Sequence, residues 1–261
     1  MALKTSTQQL VTLVAGPAGG VLVAVAGLVG ALLVDGFTFA IAFAVLLAIR
    51  PPIRPAKPLA KKSVLVDAID GVRLAWSDPV LRALLLTVAL AAASVLPVAS
   101  LCVPLLARSN HWSSSQAGWV VGATVTGGLL VTLAVARMGT FALLGRAAAA
   151  GCLVAAVGLG GLAVAPSVVL AVCFAFVQGV GVGLFGSHLS PLFVASTPPS
   201  HLSRLQSLLV FVQTLPLVVS NNLLGVIAGL SPRLAVLACG VGLAGAGVSL
   251  VAVRTVRTAA I

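Results

Sequence analysis

Asp35 is the one acidic residue inside any apolar run of this chain. A charged carboxylate is expensive within a bilayer, so an intramembrane acid is by default a functional candidate. A carboxyl there can take a proton from one side of a membrane and release it to the other, which is the chemistry of proton-coupled exchange. Counted from residue 29 at about 1.5 Å per helical residue, Asp35 lies only about 9 Å into its run, so a hydrated interfacial position is the competing reading. His188 is the second titratable candidate. It follows the flexible stretch GVGVGLFGS and precedes Pro191, where a helix breaks easily near a cavity. An imidazole titrates near neutral pH, which suits a proton relay or cation recognition; the alternative is a hydrogen bond to a neighbouring helix. Gln178, Gln213, Asn221 and Asn222 are uncharged polar residues within apolar runs, able either to line a pathway or to join helices.

No catalytic constellation accompanies these residues. The chain has no HExxH, GxSxG or phosphate-binding loop, and its three histidines, at 111, 188 and 201, lack metal-ligand spacing. The sequence therefore points to no enzyme, no metal and no cofactor. Cys102, Cys152, Cys173 and Cys239 all fall in apolar runs without a CxxC pair and read as small apolar packers.

The elements that must hold these residues are membrane helices. Hydrophobic residues make up 60% of the chain, charged residues only 7%, and mean hydropathy is +1.22, outside the range of a soluble domain. Several runs approach the ~20 apolar residues of a spanning helix, and none shows the alternation of a membrane β-strand. The fold class is an all-α integral membrane protein. Apolar runs predict eight spans, at about residues 9–27, 29–49, 80–106, 118–136, 147–165, 168–195, 205–229 and 233–253. Asp78-Pro79 and Ser231-Pro232 each place a capping oxygen before a proline, and Ser113 to Gln116 fits a capping box.

The net charge of +11 is read as topology, not as nucleic-acid binding. With an inside amino terminus, Arg108 and Arg233 are external while the other thirteen basic residues are cytoplasmic, which puts both termini in the cytoplasm. Richness in Ala, Val, Gly and Leu, with neither Tyr nor Glu, points to GC-rich bacterial coding, hence to a bacterial cytoplasmic membrane. Only one connection is long. It opens RPPIRPAKPLAKK, suited to an anionic membrane face, and continues as SVLVDAIDGVRLAWSDP, where Leu65, Ile69, Val72 and Trp76 recur at helical spacing as an interfacial amphipathic helix. The chain thus divides into two helices at 1–49, a linker at 50–79 and six helices at 80–261.

The opening run contains Gly16, Pro17, Gly19 and Gly20, which leave a bare, bendable helix face. The glycine pairs 118/122, 179/183 and 225/229 repeat that device as GxxxG, expected to bring helices close. A cleaved signal peptide ending near Ala24-Val25-Ala26 is the rival for the first run; a glycine and proline cluster inside the apolar region and the immediate next span argue against it.

Three stretches resemble the major facilitator superfamily, in particular its bacterial drug and siderophore exporters. GPAGGVLVAVAG with LVDGFTFAIAFAVLLAIRPP is similar to the fifth and sixth helices, GVRLAWSDPVLRALLL to the start of the seventh, and SRLQSLLVFVQTLPLVVSNNLLGVIAGL to the eleventh. The exporters' helix-five motif has two residues between Gly-Pro and Gly-Gly, where this chain has only Ala18. In ARMGTFALLGR, similar to the turn between helices eight and nine, Arg137 and Arg146 remain but the family's acidic residue does not, so its gating ion pair does not carry over. The resemblance covers essentially the whole chain as helices five to twelve of twelve. It implies an amino-terminally truncated exporter with one complete six-helix bundle and two helices of the other. The implied activity is secondary, proton-coupled efflux of a small amphiphilic molecule by alternating access. The implied partners are the lipid bilayer, the transported molecule and a chain supplying the missing helices. An incomplete chain is expected not to transport alone, and a membrane scaffold or inactive remnant is the alternative function.

The topology has a direct test. In a cysteine-free background, a cysteine at Asn110 is expected to react with an impermeant thiol reagent from outside, and one at Ala60 only after permeabilisation; the reverse pattern overturns the orientation.

Overall fold

The helix starts legible in the sequence are realised in the computed structural model, which describes residues 29–48, 73, 76–141, 143–197 and 202–252. Among these, seven helices are long and apolar enough to cross a membrane. They are α1 (Val29–Ala48), α2 (Pro79–Ser109), α3 (Ser114–Met138), α4 (Leu144–Val164), α5 (Val168–Ala195), α6 (Leu202–Leu230, apolar from Leu208) and α7 (Pro232–Ala252). All seven fall where the apolar runs predict them. The eighth expected span, 9–27, lies outside the described residues, and with it Gly16, Pro17, Gly19 and Gly20. So does most of the linker's amphipathic helix, of which Arg73, Trp76 and Ser77 are helical.

Asp78 caps α2: its Oδ1 accepts from the amides of Val80 at 2.7 Å and Leu81 at 3.2 Å, with Pro79 first in the helix. Ser113 and Gln116 form the reciprocal capping box of α3, at 2.8 and 3.2 Å. Pro232 opens α7 directly after Ser231, whose carbonyl accepts from the Ala235 amide at 3.3 Å. Inside α2, the ladder loosens to a π-helical turn at Val98–Cys102 immediately after Pro97, where a ring without an amide hydrogen disturbs the regular pattern. Hydroxyls within the helices turn back on their own backbones, as Thr87 does to Ala83 at 2.8 Å and Ser94 to Leu90 at 2.8 Å, so these polar groups need no water.

The six helices α2–α7 pack together: α4 lies against α5 and α7, α3 against α5, and α2 against α6 and α7. One apolar core joins Leu106, Leu159, Leu162, Val236 and Leu243; a second, toward the Pro79 end, joins Leu81, Leu84, Leu144, Phe193 and Leu250. By contrast, none of the membrane-capable stretch of α1 is buried.

α5 sits between α3 and α4 with its backbone almost in contact with both. A Cβ on Gly179 or Gly183 would strike the α3 backbone at Thr124 or Gly128, and one on Gly181 would strike α4 at Gly151 and Ala155. The helices opposite are equally bare: a Cβ on Gly127 would meet the backbone at Phe176 and one on Gly158 the backbone of Gln178. The 179/183 pair therefore makes the close contact expected of it. The other two pairs do not. A Cβ on Gly118, Gly122, Gly225 or Gly229 would meet nothing within 4 Å. A small-residue face permits close approach, but a matching face on a neighbour must complete it, and of the three pairs only the one on α5 meets such a face.

Gly179→Ala drives a methyl into the Thr124 carbonyl and is expected to lower stability by about 1–3 kcal/mol. Gly160→Ala, where a Cβ meets nothing within 4 Å, should be neutral or stabilising by up to about 1 kcal/mol. Denaturant unfolding in micelles checks the contrast, and equal stabilities for the two variants would remove the close-packed interface from the account.

Candidate functional site

Near the Pro79 end, α2, α5 and α6 part around an open-sided cavity of about 350 Å³. Val88 of α2, Phe185, Leu189 and Phe193 of α5 and Leu209 of α6 form its apolar wall. Gly186 lies on the same wall, with open space where a side chain would stand. Two lining residues are polar, Ser190 and Gln213, and none of the lining residues is an acid or a base. A mostly apolar concavity of this size with a few polar groups is the usual form of a small-molecule site. Pro191 in α5 and Pro216 in α6 each delete one hydrogen bond of their helix close to this space, which gives both walls a point of weakness. Across the α2–α6 contact lies a smaller pocket of about 110 Å³, where Trp76 and Arg82 meet Leu208 and Val212.

The helical period that turns Leu189 and Phe193 into the cavity turns His188 away from it. His188 is fully buried against the connection between α3 and α4. Its Nδ1 lies 2.9 Å from the Leu184 carbonyl, and its Nε2 accepts from the Phe141 amide at 3.1 Å. A carbonyl cannot donate, so Nδ1 carries the proton and Nε2 the free lone pair; the neutral tautomer alone makes both bonds. The Phe141 ring stacks on the imidazole, centroids 5.1 Å apart and planes 11° from parallel. His188 thereby pins the Gly139–Phe141 corner, whose backbone turns at Gly139 with φ of 85°.

The remaining candidates are spread out. Gln178 is buried between α5 and α3, where Thr124 Oγ1 donates to its Oε1 at 2.9 Å. Of the four uncharged candidates, Gln213 alone lines the cavity. Asn221 on α6 has a buried Oδ1 with no hydrogen-bond partner, and Asn222 is exposed, its amide donating to the Val218 carbonyl at 2.8 Å. Asp35 is exposed on α1, and no residue of that helix lines the cavity. The structure thus brings Gln213 to the cavity, seats Gln178 and His188 in helix contacts, and unites none of them with Asp35. Phe185, Leu189 and Phe193 escape sequence reading because apolar residues four apart describe ordinary packing equally well. Phe141, in a connection, carries no signal of its own.

A bundle of apolar spanning helices agrees with a comparison across known families. Residues 1–220 match the family model of the Major Facilitator Superfamily. The chain belongs to that superfamily. Comparisons with curated proteins and with solved structures gave no match. Membership of the Major Facilitator Superfamily makes this a multi-pass membrane protein and supports membrane transport, in a family that is generally non-enzymatic.

Replacing His188 by leucine removes the acceptor of the Phe141 amide while keeping an apolar volume. Amide exchange at Phe141 is expected to accelerate about fivefold to tenfold, the effect of one hydrogen bond of about 1 kcal/mol. Exchange mass spectrometry reads it, and unchanged protection would show that the corner is held by other contacts.

Proposed function

We propose that this chain takes part in secondary-active efflux of a small, uncharged or weakly polar amphiphile, driven by protons. The observation that carries the reading is the cavity between α2, α5 and α6: its walls are apolar, its polar groups are a serine and a glutamine, and no fixed charge faces it. Burying a charged ligand among such groups would leave that charge unpaired. With both termini cytoplasmic, the Pro79 end is the cytoplasmic end, so the cavity receives its ligand from the inside of the cell, as export requires. A bacterial cytoplasmic membrane is the location that fits this orientation and the composition.

In this reading, α2–α7 form one wall of an alternating-access path. The open glycine faces of α3 and α6, at 118/122 and 225/229, are where a second set of helices, α1 among them, seats. Asp35 is the coupling acid: on α1 it stands in that second wall, and protonation on one side followed by release on the other would drive the exchange. The resemblance to drug and siderophore exporters points the same way. A purely scaffolding role has no use for the cavity.

Binding separates the two. An uncharged amphiphilic fluorescent probe is expected to bind the purified protein saturably, and Gly186→Trp, which plugs the cavity, should weaken binding at least tenfold. In proteoliposomes that show flux, with the chain alone or joined by a partner carrying further helices, that flux should follow an imposed pH gradient, and Asp35→Asn should abolish the pH dependence while leaving insertion intact. Probe binding indifferent to Gly186→Trp would overturn the site, and pH-dependent flux unchanged by Asp35→Asn would overturn the coupling role.

A further inference from the structure

Cys102 and Cys239 come from helices 137 residues apart in sequence, yet the fold leaves their sulfurs 4.0 Å from each other. Cys102 closes the π-helical turn of α2 and Cys239 stands in α7; both are buried, at 0% and 2% exposure. We propose that these two thiols form a binding site for a soft divalent cation of the mercuric type, which would staple the π-turn of α2 to α7.

The spacing decides between the two things a thiol pair can do. A disulfide needs its sulfurs about 2.0 Å apart, so the pair would have to close by about 2 Å within a packed core. A metal held at thiolate bond lengths of about 2.3 Å needs sulfurs about 4.6 Å apart if the bridge is straight, and less if it bends. The pair at 4.0 Å falls about 0.6 Å short of the straight bridge, far less than the roughly 2 Å that a disulfide demands. Side-chain rotation covers the difference.

Coordination number and charge then narrow the cation. Among the described residues, no three His, Cys, Asp or Glu side chains gather, so the protein supplies two ligands and no more. Zinc and its relatives, which take four, are poorly served. Soft thiolate sulfur selects soft cations, and the mercuric ion is content with two sulfurs in line. A divalent cation and two thiolates make a neutral unit, whereas a monovalent one would leave a negative charge in an apolar span at high cost. The reaction balances without an oxidant: two thiols and one mercuric dichloride give a bis-thiolate, two chloride ions and two protons released to water. The dichloride is itself uncharged, and so can reach the pair through lipid.

Occupancy would join the only π-turn among the described helices to its neighbour, at the point where α2 departs from a regular ladder. If α2 bends there during transport, mercuric ion stops it; the binding itself does not depend on that activity.

The experiment uses the full chain, reduced and freed of reductant, in detergent, with mercuric chloride as the probe and glutathione as competitor. Cys152→Ser/Cys173→Ser, which keeps the pair alone, is expected to take up one mercury with loss of two protons by intact mass. It should hold that mercury against at least a hundredfold more glutathione than either variant that also carries Cys102→Ser or Cys239→Ser. In wild type, alkylation in denaturant should label all four cysteines before mercury loading, and after it should label Cys152 and Cys173 and spare the pair. Circular dichroism and elution volume identify any variant that fails to fold, and the wild-type alkylation pattern decides the question without variants. Labelling of all four cysteines alike after loading, or retention unaffected by Cys102→Ser, overturns the site. So does a Cys102–Cys239 disulfide formed by peroxide as fast as mercury is captured, because the sulfurs would then meet freely at bonding distance.

Discussion

The contact of α5 with α3 and α4 is the constraint on which the rest of the bundle depends. In lipid, apolar side chains gain nothing by leaving the solvent, so helices associate through close packing and through polar groups they share. α5 does both. Its glycines bring backbone against backbone at Thr124, Gly128, Gly151 and Ala155, and its Gln178 accepts from Thr124 in the same interface.

That contact sets the rotation of α5, and the rotation distributes its functions. With Gly179 and Gly183 turned to α3 and Gly181 to α4, the next two turns present Gly186, Leu189, Ser190 and Phe193 to the cavity and His188 to the α3–α4 connection. One helix therefore forms a wall of the cavity and holds the neighbouring corner. The resemblance to the exporters implies an acidic residue in the corresponding turn. This chain has none there, and its corner is held by an imidazole lone pair and a stacked ring.

Among the described residues, the bundle is packed on one side and open on the other. α4 and α7 bury their small faces against each other and against α5 or α2, while α3 and α6 leave bare glycines facing outward and α1 buries nothing. The cavity lies on the α6 side of this boundary. The cavity walled by α2, α5 and α6 is thus next to faces that the described residues leave open, the arrangement expected when a path runs between two sets of helices.

Helix type and limits are legible in the amino-acid sequence, because a bilayer demands long apolar runs and because Asp78, Ser113 and Pro232 mark where helices start by local chemistry alone. The superfamily is legible too, from short stretches that survive without three-dimensional context. What the sequence leaves undecided is every relation between helices. Three GxxxG pairs look alike along the chain, yet one is pressed against a neighbour and two are bare, since close approach needs two matching surfaces. On its residue type His188 fits a relay or a strut equally well; its partners are a backbone carbonyl and a backbone amide, groups that no sequence pattern advertises. Cys102 and Cys239 read as isolated apolar packers because nothing local links residues 137 positions apart. A sequence determines what each helix can offer on each of its faces; only the packed bundle decides which faces meet, because that choice is made by the shapes of both partners at once.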